Sequence, residues 1–537
     1  MDPIARVVKM LEDESPRKRI AAAVVLGELR VKDPAVVSHL VALAKDPLDA
    51  YAEAAIEALG QIGSTKALPV LLEALGRGRE LSRLAGQAIA ALGPEVLPDI
   101  KAKLEGASPE IRAALSQLLP AVGGKQSFEM ALEGMRGQTF DAVNRVALSV
   151  RQEAKVSSEA EKRVMRTQVE KFLEKKKTQE DEPALRGALK VLGFLEISDA
   201  ADTLLSYVGK KHSVAVRVEA ITALRFALVK ETSKKVLRRL MELLVDEDVL
   251  VGRSARDTLT VLKLGPEFSE ELAELAEGPL GEVALWAIER LAGLAAGNKV
   301  ATQTLVRVAQ GSEHARVEAA AKLLALLPRG ESLLVEALCA TDNEGGAQAL
   351  CEALMPKARE LKGADLKALE KAGAAGLTKS LSMARRQLEP LRLADPQAWA
   401  KLLRSKATAL SKKDEARSDA LWALLVRSQV ASPEDRYAHA VRQLVRGAHD
   451  VHPAARARDT SLLDLDKLRA EGFPLAARLL KEKGLSDEAR FYVGFHFAES
   501  NDPAAFGLGG DLLEALSKKG KGKLAKAAKN KLKLLER

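Results

Sequence analysis

The residues able to do chemistry fall into a few short groups, and two of these are basic. Lys234-Lys235-Val236-Leu237-Arg238-Arg239 repeats a cationic pair four residues on, which on a helix puts Lys234, Lys235, Arg238 and Arg239 along one side. Such a stripe suits phosphate or an acidic partner, through hydrogen bonds strengthened by charge. Residues 518–537 hold eight lysines and Arg537 against a single acid, Glu536, so nearly all of the net charge of +9 sits there and the remaining chain is close to neutral. Within this tail Lys521, Lys523, Lys526 and Lys529 are the candidate contacts. The tail reads either as a capping helix with a solubilising surface or as an arm touching nucleic acid, an acidic protein or a membrane surface. Neither basic group has aromatic residues interleaved for base stacking, so nucleic-acid binding by either is expected to be weakly sequence-specific.

The remaining groups resemble catalytic or metal motifs and fail in detail. Gly123-Gly124-Lys125-Gln126-Ser127 has the outline of a phosphate loop, but Leu119 stands where the first glycine belongs and Gln126 where a hydroxyl would meet magnesium. Gly507-Leu508-Gly509-Gly510-Asp511 lacks a preceding strand, and its Asp511 is expected to cap a helix beginning at Leu512. His449-Asp450-Val451-His452, with His439 upstream, has no cysteine nearby to complete a closed zinc site and is expected to be a loop ended by Pro453. Cys339 and Cys351 both lie in helical patterns and are expected to be reduced core thiols. No Ser-His-Asp or Cys-His arrangement can be assembled. The expectation is therefore no catalytic residues, no metal and no cofactor: a protein that is not an enzyme.

The elements that would carry these groups are helices. Apolar residues make up 47% of the chain but aromatics only 3%, so Ala and Leu, both strong helix formers, supply the apolar content. No run approaches the ~18–20 apolar residues of a membrane span. The opening Met1-Asp2-Pro3-Ile4-Ala5-Arg6 has no secretory signature, so a cytoplasmic protein is expected. Arg19-Ile20-Ala21-Ala22-Ala23-Val24-Val25-Leu26-Gly27 returns around Leu59-Gly60 and Leu92-Gly93, with the leucines 33 residues apart each time. The pattern resumes with leucines at 192, 224, 259, 291, 323 and 354, at intervals of 31–35 residues. Each unit reads as two helices. The first carries small residues where a neighbouring backbone can approach, and the second carries apolar residues three and four apart. One such hairpin cannot bury both apolar faces, so the units must stack. The expected fold class is all-α, an α-solenoid of stacked antiparallel helical hairpins.

The Arg-x-x-Ala-Ala-x-x-Leu-Gly-like first helices, with their Asp-Pro-Ala and Thr-Lys-Ala-Leu-Pro turns, resemble the HEAT-repeat family, in particular its short bacterial, phycobilisome-lyase-like form. The resemblance covers about 15–134 and 183–356. It implies a curved scaffold that binds other molecules, and if Lys234–Arg239 lies on a second helix it would line the concave side; it does not imply lyase activity, since no chromophore site is recognisable. The chain divides into N-terminal repeats (1–134), a divergent connector or longer repeat (135–182), a second repeat block (183–356), a divergent helical region (357–517) with late aromatics expected as a capping core, and the lysine-rich tail (518–537). The leading function is a scaffold or adaptor for a partner protein. The alternatives are nucleic-acid binding through 234–239 and the tail, and last an enzyme of lyase or base-excision type.

Overall fold

The leucines that set the sequence period are the core of each hairpin. Leu26, Leu59, Leu192, Leu224, Leu259 and Leu291 are fully buried, each contributing roughly 1.5–3 kcal/mol. At Leu323 the register slips by one residue: that side chain is half-buried, and Leu324 takes the core position. The computed structural model describes residues 3–432, 434–436, 439, 442, 486–501, 503–519 and 522–536. Among these there is no strand, and no helix is long and apolar enough to cross a membrane. The fold is all-α, built as α-solenoid stacks of hairpins in two compact units divided between Glu271 and Leu272.

In the N-terminal unit the first helices form a continuous row: Pro16–Glu28, Asp49–Ile62, Arg79–Leu92, Pro109–Val122, Phe140–Val156, Glu182–Phe194, Val214–Ala227 and Val249–Val261. Segment 135–182 takes its place in this row. Its Phe140–Val156 helix packs between Pro109–Val122 and Glu182–Phe194, and Glu159–Leu173 turns back as its second helix. Backbone contact holds the row together. A Cβ at Gly27 would meet the Ala58 Cα at 2.8 Å, one at Gly60 the Ala88 Cα at 3.0 Å, and one at Gly193 the Ala223 Cα at 2.8 Å. The Leu-Gly pair of one repeat thus seats on an alanine of the next.

In the C-terminal unit the helices Gly281–Leu294, His314–Leu326, Glu344–Leu354 and Leu381–Ala394 form a corresponding row, with Lys299–Ala309, Gly330–Ala340, Ala364–Lys379 and Pro396–Leu410 as second helices. Three further helices, Asp487–Phe497, Pro503–Lys518 and Lys523–Leu535, pack on one another. Asp511 is therefore not an N-cap, because Gly507–Gly510 lie inside a helix that has already begun. The reason is packing: a Cβ at Gly509 would meet the Ala498 backbone N, so this glycine lets two helices touch. The 449–452 histidine segment, Phe473 and Lys521 lie outside the described residues.

Helix starts follow local chemistry. Asp33 accepts a hydrogen bond from the Ala35 N–H ahead of Pro34, and Ser108, Thr139 and Ser213 cap in the same manner. Ser158 and Glu161 form a reciprocal capping box at the start of Glu159–Leu173. Ser158→Ala is expected to cost about 1 kcal/mol. Its signature is faster hydrogen exchange in the first turn of that helix, with the neighbouring hairpins unchanged.

Candidate partner-binding surfaces

The basic stripe lies on Lys234–Leu243, a second helix whose Val236, Leu237, Leu240, Met241 and Leu243 are buried. Lys234, Lys235, Arg238 and Arg239 are all exposed, but each faces an acid. Lys235 reaches Asp202 of the preceding hairpin at 2.7 Å, Lys234 and Arg238 reach Glu267 and Glu271 beyond it, each at 3.3 Å, and Arg239 meets Glu242 at 2.5 Å. Four cations against four carboxylates leave no excess positive charge for phosphate. The Lys235–Asp202 and Arg238–Glu271 pairs are 33 residues apart, one repeat, so the stripe is a seam between hairpins. Exposed pairs of this kind stabilise only weakly.

The loop around Gly123 and Gly124 serves structure. Both glycines have φ of 85°, and the buried Ser127 hydroxyl donates to the Leu119 carbonyl. A cleft of about 370 Å³ beside it is lined by Lys125 together with Glu153 and Glu161, acids that disfavour phosphate. Among the described residues no group of three or more His, Cys, Asp or Glu is placed to hold a metal. Cys339 and Cys351 are free thiols, and burial pushes both up to about 11, far from the thiolate a nucleophile needs.

A different group stands out on the first-helix face of the N-terminal unit. Three adjacent helices, Phe140–Val156, Glu182–Phe194 and Val214–Ala227, bring together residues spaced 29–46 apart. The Arg186 guanidinium lies 3.7 Å from the centre of the Phe140 ring. Lys190 donates to Asn144 Oδ1 at 2.9 Å and lies 3.4 Å from the carboxylate of Glu219, a side chain only 8% exposed. Burial raises the Glu219 carboxyl above its ordinary value, against the opposing pull of Lys190 and Arg186. Arg186 Nη2 is 3.7 Å from Glu219, beyond hydrogen-bond reach, and its Nε is buried without a partner. One turn further on, Arg151 lies against both Phe194 and Phe226, 4.9 and 5.2 Å from the two ring centres, and the rings themselves meet edge-to-face at 5.3 Å. Among the described residues no carboxylate pairs with Arg151, and its Nε is buried and unpartnered. Two cations, Arg186 and Lys190, therefore face the one buried acid, and Arg151 lies further along without one. The same face continues into a groove of about 630 Å³ bordered by Arg79, Arg145, Gln87 and Gln117, and by Arg83 paired with Glu80.

The repeat signature obscures this cluster. Arg19 and Arg217 stand seven residues before the repeat leucine and turn inwards, donating to the carbonyls of Asp13 and Val208. Arg186 stands six residues before Leu192, a rotation of about 100° that puts it on the outer face. That one-residue offset is the signal the sequence offers.

Residues 4–93 match the family described as HEAT repeats. No curated protein matches the chain. Among solved structures, Kap121p bound to RanGTP is 14% identical over 99% of this chain and 66% of its own, just under two thirds of its length, with a TM-score of 0.42. The CpcE–CpcF complex of phycocyanin lyase from Nostoc sp. PCC7120 is 17% identical over 57% of this chain and 92% of its own, with a TM-score of 0.18. The Pds5–Scc1 complex is 15% identical over 96% of this chain and 89% of its own, with a TM-score of 0.34. Likenesses this distant carry no argument about function. The leucine period, the Gly–Ala seams between first helices and the match over 4–93 agree: residues 4–93 carry HEAT repeats, and the hairpins that follow are similar to them in packing.

Proposed function

We propose that this chain is a non-enzymatic scaffold whose first-helix face, centred on Arg151, Arg186 and Lys190, binds an acidic segment of a partner protein. The observation that carries the reading is Arg151: a half-buried guanidinium packed against two phenylalanine rings with no anion of its own among the described residues. Stacking on aromatic faces holds a guanidinium in place and leaves its edge donors for a carboxylate. Arginine and aromatic residues are also the side chains that dominate binding energy at protein interfaces. The two free thiols fit a reducing compartment, which we take to be the cytoplasm.

The test is affinity capture with the full-length chain and an Arg151→Glu/Arg186→Glu variant, followed by binding measurements on the captured protein. Reversing two charges at the centre of the interface is expected to weaken binding at least ~100-fold, about 2.7 kcal/mol, while circular dichroism stays unchanged. Equal binding by both proteins would remove this face from the reading.

A further inference from the structure

The helix Lys523–Leu535 has two faces put to different uses. Ala528 is fully buried, and with Leu532 and Leu535 it packs against Phe491, Ala498, Leu513 and Leu516 of the two preceding helices. Lys531 belongs to this side: it is 11% exposed, 2.5 Å from Glu499 and 4.0 Å from the centre of the Phe495 ring. At 100° per residue Lys523, Lys526, Lys529 and Lys533 fall on the opposite side, and all four are exposed. Lys518 and Lys519 just upstream are paired with Glu514 and Asp487. Among the described residues none of the four has a carboxylate within 4.0 Å. This is the reverse of the 234–239 stripe, where every cation is matched. Lysines three and four apart on a helix repel one another, so this face carries a repulsion that a polyanion would relieve.

We propose that Lys523, Lys526, Lys529 and Lys533 form a docking strip for the phosphodiester backbone of nucleic acid, bound without base recognition. The strip shares no residue with the face proposed to bind protein in the N-terminal unit. The four charges are spread along about 15 Å of rigid helix, comparable with several steps of the roughly 3.4 Å axial spacing of phosphates along one duplex strand. A bilayer would need an apolar face to insert, but that face is already packed against two helices, and only Leu534 borders the lysines. A folded acidic protein is better matched by arginine, whose planar fork pairs bidentately with carboxylates; flexible lysine stems suit a repeating line of phosphates. The strip carries no aromatic side chain, so bases have nothing to stack on.

Full-length protein is titrated with a short mixed-sequence duplex at several salt concentrations, read by fluorescence anisotropy. Neutralising four phosphates predicts a slope of log affinity against log salt of about −3.6, hence on the order of 100-fold weaker binding for a fourfold rise in salt. Replacing all four lysines by glutamine should abolish that binding, and replacing all four by arginine should keep it. Undiminished binding by the glutamine variant, or no duplex binding by the natural chain, overturns the proposal. So does tighter binding to phosphatidylserine vesicles, which would assign the strip to a membrane, or to polyglutamate, which would assign it to an acidic protein. If the glutamine variant loses helicity, the salt slope of the natural chain and the behaviour of the arginine variant decide.

Discussion

Asp246→Ala is expected to destabilise the N-terminal unit by about 3–5 kcal/mol, because it breaks a buried ion pair by removing one partner. Arg217 and Asp246 are 6% and 7% exposed, and two guanidinium nitrogens reach the two carboxylate oxygens at 3.2 and 2.5 Å. The third guanidinium nitrogen, Nε, donates to the Val208 carbonyl at 2.9 Å, and Asp246 also accepts from the Asp248 N–H at 3.0 Å. Removing the acid strands a charged group where water cannot reach it, and that penalty exceeds the net worth of the pair. The double variant Arg217→Met/Asp246→Leu is accordingly expected to recover most of the loss, because an apolar pair of similar size needs no neutralisation. Thermal unfolding, with hydrogen exchange across Val214–Val261, measures both. A single-variant loss below about 1 kcal/mol would mean that solvent reaches the pair.

The same pair sets a pH dependence. Hydrogen bonding from Arg217 holds the Asp246 carboxyl below its ordinary value of 3.8. Its folded value is depressed, so the stability it contributes is present above pH 3.8 and is lost as pH falls through the lower folded value. The gap between the natural chain and Asp246→Asn should therefore narrow in strong acid and stay constant above about pH 5.

Gly193→Ala should destabilise by roughly 1–3 kcal/mol, whereas Gly86→Ala should stabilise by about 1 kcal/mol. Both glycines are helical. A Cβ at Gly193 would meet the Ala223 Cα and carbonyl oxygen at 2.8 Å, and backbone cannot swing aside, so the two first helices must part. At Gly86 nothing lies within 4 Å, and only the gain in helix propensity remains. Chemical denaturation of the two variants supplies the comparison; a matching sign at both sites would show that the Gly–Ala seam does not hold the repeats at contact distance.

Some of the architecture is legible in the sequence because its causes are local. The 33-residue return of the alanine-rich Leu-Gly ending at Leu26, Leu59 and Leu92 locates the hairpins, and Asp33-Pro34 and Ser108-Pro109 mark helix starts through groups at most three residues apart. The weaker period over 135–182 obscures the Phe140–Val156 helix, whose small and branched apolar residues fill the same row without the Leu-Gly ending. Asp511 reads wrongly as a cap because an Asp after two glycines is a normal helix start, and only the approach of the Ala498 backbone explains why the helix runs through.

The sites divide the same way. From sequence, Lys234–Arg239 and the tail lysines are equivalent clusters of like charge. In the fold the first is matched acid for cation, three pairs across a repeat seam and Arg239 with Glu242 on its own helix, while Lys523, Lys526, Lys529 and Lys533 remain unmatched among the described residues and Lys531 turns inwards. The sequence alone determined that this is a stack of helical hairpins, since helix formation and apolar periodicity act over a few residues. Which cations are neutralised, which glycines touch a neighbour and which basic side chains face Glu219 were decided only by tertiary structure. The side-chain partners of Lys190 and Arg217 lie 29–46 residues away, and a one-residue change in register turns a side chain by about 100° from the buried side of its helix to the outer face.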